Sequence, residues 1–261
     1  MPADNRPMFQ SVHIPHQAAS LLNAVPDVFV HECTSDSPRV AVPSTGVHLV
    51  VRLGPHVPGG FDIHALGPRH KVHRKLIRSG QSTVFARLPL GTYQAVLGKP
   101  ASEFAGRIVA LRDLWDAAAT HRLEEQLAAA RDGGSAAIIL KTAIVGRLVP
   151  GMCFDTNTRL VQSAARRLES RNVASVAEHL GISERHLRRV FHEVIGLSPK
   201  AYFKLRRFER ALKAARDGED LSWSNIAVGA GYFDQAHLIA DFRAIAGATP
   251  REFLAEVCSQ S

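Results

Sequence analysis

Between Gly181 and Pro199 the chain reads GISERHLRRVFHEVIGLSP. Arg185, Arg188, Arg189 and His192 recur at helical spacing beside Glu184, while Leu187, Val190, Phe191 and Val194 fall at i, i+3, i+4 and i+7 on the other face. Guanidinium groups presented in such a row suit the oxygens of an acidic polymer, because each can fork to guanine O6 and N7 or sit on a phosphate. The helix carrying them has defined ends. Ser183 is placed to cap its first free N–H groups, Ile182 can staple onto Leu187, Gly196 stops the helix and Pro199 begins the next. A charged face is more often only a solvated face, so the rest of the chain decides between the two readings.

The other residues able to do chemistry point nowhere compact. His13, His16, His31, His48, His56, His64, His70 and His73 crowd the first half. A metal centre needs three or four ligands converging from facing elements, and no compact pair of motifs supplies them, so no metal is expected and the histidines read as scattered surface or core residues. Cys33, Cys153 and Cys258 are odd in number and widely spaced, which supports neither a disulfide framework nor a cysteine-based zinc site; redox sensing by Cys33 or Cys153 is the minor reading. The run Arg69 to Arg78, RHKVHRKLIR, reads first as a solvated edge strand or loop guarded by its charge, and second as an auxiliary anion or DNA contact.

Composition bounds the whole. A chain of 261 residues, 46% of them hydrophobic, can bury a core in one large or two smaller domains. Its formal charge of +8 is uneven: residues 183 to 216 carry +7, whereas 217 to 261 carry −5. The opening MPADNRPMFQSV has no charged segment ahead of an apolar run, and no stretch approaches the roughly 18 apolar residues of a membrane span. A soluble, cytoplasmic protein without a membrane partner is expected.

These residues need elements to hold them. From Val12 to about Lys99, short apolar or alternating runs (VFVHE, VHLVVRLG, FDIHALG, TVFARLPLG, YQAVLG) are broken by Gly and Pro, which predicts several short strands in a small β-barrel or sandwich. After Pro100 the period changes. Phe104, Ile108, Leu111, Leu114 and Trp115 predict a helix, Leu123 and Leu127 a second, and Ala136 to Leu148 a third, together covering the β-unit. Pro150, Gly151 and the polar run Asp155 to Thr158 mark the domain boundary. The fold class is therefore α+β. A unit over 1–150 (β-rich 12–99, helical 100–149) precedes an all-α unit over 158–261.

The second unit contains an internal repeat. Val176, Ala177 and Gly181 match Ile226, Ala227 and Gly231 at an offset of 50, and one extra residue in the second turn shifts the offset to 51. Thereafter Ser183, His186, Leu187, Phe191, Gly196, Ser198 and Pro199 match Asp234, His237, Leu238, Phe242, Gly247, Thr249 and Pro250. Each half is a short helix, a glycine turn, a capped second helix and a Gly-x-[Ser/Thr]-Pro exit, which is helix-turn-helix architecture at 173–196 and again at 222–247. Tyr232, Phe233, Phe191 and Phe242 read as core or staple residues. Between the halves, PKAYFKLRRFERALKAAR over 199–216 reads as one helix about 27 Å long, enough to set the two modules about one turn of duplex apart.

The run VAEHLGISERHLRRVFHEVIGLSPKAYFKLRRFERAL, followed by IAVGAGYFDQAHLIADFRAIAGATPREF, resembles the DNA-binding domain of AraC/XylS transcription regulators over Thr158 to Phe253. The first half is similar, more weakly, to the β-barrel and helical sensor or dimerisation region joined to that domain. The resemblance implies two recognition helices, Glu184 to Ile195 and Gln235 to Ala246, in successive major grooves. It places Ser183, Glu184, Arg185, Arg188, Arg189, His192 and Lys200 at the first DNA contact, and Asp234, Gln235, Ala236, Ile239, Ala240 and Arg243 at the second. The second helix departs from the family's pattern, since Ala240 stands where many members carry Arg or another long polar residue, so the first is expected to hold DNA more firmly. The implied protein is a non-catalytic, homodimeric, sequence-specific transcription regulator. Its partners are double-stranded DNA, RNA polymerase and an unidentified small-molecule effector, with no cofactor. A ligand-independent dimeric DNA-binding protein, or a barrel-type metalloenzyme fused to a DNA-binding domain, are the alternatives.

Overall fold

The computed structural model describes residues 26–148, 155–168, 172–218 and 222–259. His13, His16, Cys153, the start of the β-rich region and the boundary at Pro150 and Gly151 lie outside them. Strands β1 (Asp27–Glu32), β3 (His48–Leu53), β4 (Phe61–Leu66), β6 (Ser82–Arg87) and β7 (Ile108–Ala110) form one antiparallel sheet in the order β1-β6-β3-β4-β7, and β2 (Ser37–Ala41) pairs with β5 (His73–Ile77). Among the described residues the larger sheet ends at β1 on one side and β7 on the other, so it is open and sandwich-like rather than a closed barrel.

Alternation along the strands separates two faces. Val28, Leu49, Val51, Ile63, Ala65, Val84 and Ala86 are buried in one core with Leu123 and Leu127 of α2 (Ala117–Ala128) and Ala136, Leu140 and Ile144 of α3 (Gly133–Gly146). Asp116 and Asp132 cap these two helices by accepting from Ala119 N and Ser135 N. On the opposite face Lys75 Nζ of β5 stands 5.8 Å from the centre of the Phe85 ring, which brings the small sheet over the large one.

Two expected elements are different in kind. YQAVLG forms helix α1 (Tyr93–Leu97), not a strand: Tyr93, Val96 and Leu97 are buried at i, i+3 and i+4, and Gly98 closes the turn at φ 76°. Five residues are too few for the period to declare itself. The helix predicted through Phe104 to Trp115 is instead a 3-10 turn (Ala101–Glu103), strand β7 and a second 3-10 turn (Leu111–Asp113). Gly106 breaks the chain at φ 71°, and residues 108–110 find the open edge of β4, with Ala65 opposite Val109. Pairing to a free strand edge outweighs a helical spacing of apolar residues.

The second unit is all helix: α4 (Thr156–Arg167), α5 (Val173–His179), α6 (Glu184–Ile195), α7 (Pro199–Asp217), α8 (Trp223–Ala230), α9 (Gln235–Ala246) and α10 (Pro250–Cys258). Both halves of the repeat share one core. The repeat extends to the backbone, because Gly181, Gly196, Gly231 and Gly247 all adopt positive φ, between 67° and 89°. Helices α4 and α10 flank the repeat and are not predicted from the sequence; α4 adds Val161 and Ala164 to the core.

The first unit docks against the C-terminal ends of both second helices of the repeat. Val72 N–H donates to the Ile245 carbonyl at 3.0 Å, and Arg74 donates to the Ala246 carbonyl at 3.1 Å while forking onto Glu256 at 2.5 and 2.7 Å. These carbonyls end α9, where orphan acceptors and the negative end of the helix dipole favour a cation. The basic run thus forms an exposed edge strand of the two-stranded sheet, as its solvated reading expects, and Val72 and Arg74 within it also cap a helix of the other unit. Thr45 N–H donates to Glu209 at 3.4 Å, and Gln162 donates to the Leu90 carbonyl at 3.2 Å. At the end of α6, a methyl group on Gly196 would stand 2.7 Å from the Ala101 carbonyl oxygen.

That last distance separates two glycines with the same backbone. Nothing lies within 4 Å of a methyl at Gly247, so Gly247→Ala should cost about 1 kcal/mol for the left-handed turn alone. Gly196→Ala should cost roughly 1 to 3 kcal/mol more by forcing the units apart. Urea unfolding of the full chain compares them, and equal losses would contradict the docking. The second expectation concerns acid. Burial, followed by the nearby Arg87 and Arg69 charges, lowers His48 from 6.5 to about 4. The unfolded chain binds this proton near pH 6.5 and the folded chain only near 4, so stability falls as pH drops through that window, by up to roughly 3 kcal/mol. His48→Gln should flatten that part of the stability profile.

Candidate nucleic-acid interface

The first candidate reader is α6, and its start is set as the spacing requires. Ser183 Oγ accepts from His186 N at 3.2 Å, and Ile182 packs against the core just ahead of it. Leu187, Val190, Phe191 and Ile195 are fully buried, whereas Val194 is only partly so. Burying that stripe leaves Arg185, Arg188, Arg189 and His192 exposed along the opposite side, with Lys200 exposed at the start of α7. Glu184 pairs with Arg188 and Glu193 with Arg189, the second at 3.4 Å, both at i,i+4. Exposed pairs of this kind contribute about 0.3 to 0.5 kcal/mol, so they orient the guanidinium groups yet yield readily to a phosphate or a base edge. Arg185 makes no ion pair among the described residues.

The second candidate reader, α9, has the same frame and different chemistry. Asp234 caps it by accepting from His237 N at 2.7 Å. Gln235, Ala236, Ala240 and Arg243 are exposed, as the resemblance implies, but Ile239 is partly buried and packs on the core. Gln235 Oε1 accepts from Ser224 Oγ at 2.9 Å, which holds the side chain and leaves its amide N–H groups outward. Tyr232, Phe191 and Phe242 are buried, whereas Phe233 is 89% exposed and is not the core or staple residue expected.

One residue is not predicted from the sequence. Asp241 is buried to 7% exposure in α9 and takes Lys204 at 3.1 Å and Arg207 at 3.2 Å from α7. Arg207 also lies 4.9 Å from the centre of the Tyr232 ring. Two of the linking helix's cations are therefore committed inward, and Arg206 is paired with Glu209 at 2.8 Å. The signal is present in the spacing: Asp241 sits on the apolar stripe with Leu238, Phe242 and Ile245, where an acid demands a buried partner.

Helix α7 spans 19 residues, about 28 Å, and separates the two readers by a length comparable to one turn of B-DNA. Among the described residues no group of three or more His, Cys, Asp or Glu is placed to hold a metal. Cys33 is buried and bonded to the Ser35 carbonyl at 2.9 Å, and Cys258 is exposed. No described helix is long and apolar enough to cross a membrane.

Residues 176–256 match the family model of the helix-turn-helix domain. No curated protein matches the chain in sequence. Among solved structures, a variant of ToxT from Vibrio cholerae is similar at 11% identity, covering 89% of this chain and 98% of its own, with a TM-score of 0.45. The C-terminal domain of AraT, a response regulator from Geobacillus stearothermophilus, is 24% identical over 39% of this chain and 88% of its own, with a TM-score of 0.35. A DNA-binding transcriptional dual regulator from Escherichia coli K-12 is 22% identical over 42% of this chain and 99% of its own, with a TM-score of 0.33.

Removing the Asp241 charge leaves Lys204 and Arg207 facing each other without a counterion. Asp241→Asn should lower stability by about 2 to 3 kcal/mol in chemical denaturation. A loss below 0.5 kcal/mol, the size of an exposed pair, would show that the clamp between α7 and α9 is not part of the fold's framework.

Proposed function

With residues 176–256 forming an AraC/XylS-type helix-turn-helix domain, we propose that this chain is a sequence-specific DNA-binding transcription regulator whose two readers are unequal and whose first unit sets their arrangement. The observation that carries the reading is the outward row Arg185, Arg188, Arg189 and His192 on a capped helix whose frame recurs 51 residues later. Ser183 and Asp234 fix the two helix starts; the four α6 side chains and Lys200 meet bases or phosphates, with Glu184 orienting Arg188. Gln235, Ala236, Ala240 and Arg243 face the second groove, and Ile239 contributes at most its edge.

Modulation would act at the seam between the units. A cavity of about 350 Å³ opens there, lined by Thr45, Arg87 and Tyr93 from the first unit and by Ile195 and Tyr202 from the second. A volume of this order accommodates a small molecule. An effector touching both units has different affinities for the docked and separated arrangements, which is the condition for shifting between them. Since the docking residues end α6 and α9, such a shift would move both readers and alter how RNA polymerase is recruited. Ile138 and Val145, exposed and seven residues apart on α3, favour a homodimer through that helix.

Selection of bound duplexes from a random pool with the full chain tests the assignment. It should return a site with two subsites centred about 10 base pairs apart. On that site Arg188→Ala or Arg189→Ala should weaken binding by roughly 1 to 3 kcal/mol, with base substitutions under α6 costing more than those under α9. Unchanged affinity in both variants would remove α6 as the principal reader.

A further inference from the structure

Phe233 is the one residue by which the second turn exceeds the first. In both turns the residue after the glycine makes the same backbone bond: Ile182 N–H donates to the Ala177 carbonyl at 3.0 Å, and Tyr232 N–H to the Ala227 carbonyl at 2.9 Å. In both, the capping residue's carbonyl then accepts from the first buried leucine of the reader, Ser183 from Leu187 and Asp234 from Leu238. Tyr232 therefore takes the place of Ile182 in the core, and Phe233 is inserted between it and the cap. The insertion leaves the ring 89% exposed, the most exposed large apolar side chain among the described residues. Among the described residues no ring contact involves it, while its neighbour Tyr232 packs on His237 at 5.2 Å and under Arg207.

Its position says what such a ring would meet. The N-terminal residues of a recognition helix are the ones that reach base edges, and Phe233 precedes the cap of α9 directly. Beside it stand the cap Asp234, whose carboxylate accepts from His237 N, and on the outward face Gln235, Ala236 and Ala240, so this end of the reader carries no Lys or Arg and is largely apolar beyond the cap, with Arg243 two turns into the helix. Apolar groups read one feature of the major groove, the 5-methyl group of thymine. Resting on the DNA-binding reading above, we propose that Phe233 is a specificity residue of the second reader, contacting a thymine methyl and supplying by shape what α9 lacks in charge.

The test uses the full chain and the duplex it selects from a random pool, with each thymine of the second subsite replaced in turn by deoxyuridine, which lacks the methyl. The wild-type chain should lose about fourfold in affinity at one thymine, the change that burial of one methyl-sized group supports. Phe233→Ala should bind more weakly at the unmodified site and show no loss on that replacement, and Phe233→Leu should recover part of both. Because the ring is exposed, the variants should unfold like the wild type, which denaturation curves check. A selected site without thymine under α9, or a methyl effect that persists in Phe233→Ala, would overturn this inference and leave the paired reader standing. So would a Phe233→Ala variant that bound the site as tightly as wild type, which would return the ring to a protein contact. A wild-type chain that selects no sequence would overturn both.

Discussion

The structure of the second unit depends on one helix burying a single apolar face in two places at once. Phe208, at the middle of α7, meets Phe242 of the second half of the repeat at 4.5 Å and Phe253 of the flanking α10 at 5.7 Å, and Tyr202, nearly two turns earlier, meets Phe191 of the first half at 5.3 Å. Neither half could bury its stripe alone, since each is only two helices and a turn. Sharing α7 closes one core around both and, in doing so, fixes where α6 and α9 stand relative to each other. Asp241 reinforces the same joint with charge, drawing Lys204 and Arg207 onto α9.

That clamp explains why a uniformly basic stretch of sequence does not make a uniformly basic surface. The +7 of residues 183–216 divides between α6, whose cations point outward or sit in weak pairs, and α7, where Lys204 and Arg207 hold the second half in place and Arg206 pairs within its own helix. The second reader is left with Arg243, a held Gln235, small apolar residues and an exposed ring. The first unit then bears on the far ends of both proposed readers, through Arg74 and Val72 at α9 and Ala101 at α6, so the elements proposed to touch DNA and those proposed to sense a signal share a boundary.

Much of this is legible in the residues. The caps Ser183 and Asp234, the glycine exits and the apolar stripes are local signals, and each lies where its spacing places it. What is not legible depends on partners distant in sequence. Ile108 to Ala110 carry the period of a helix and become a strand because β4 offers an edge; the run around Arg74 reads as solvated and is exposed, but its second role as a cap arises only because α9 ends beside it. Phe233 reads as a core residue because it neighbours a cap, and only the backbone bonds show that Tyr232 already fills that place. The acid at position 241 can be found from its place on a buried stripe.

Two readers, held by α7 at a fixed separation, should engage one face of a duplex. Hydroxyl-radical footprinting of the full chain on its selected site measures this directly. Two protected patches about 10 base pairs apart on the same face are expected, the protection under the cationic α6 being stronger at low salt and falling more steeply with salt than that under α9. A single patch, or two patches on opposite faces, would contradict the paired reader.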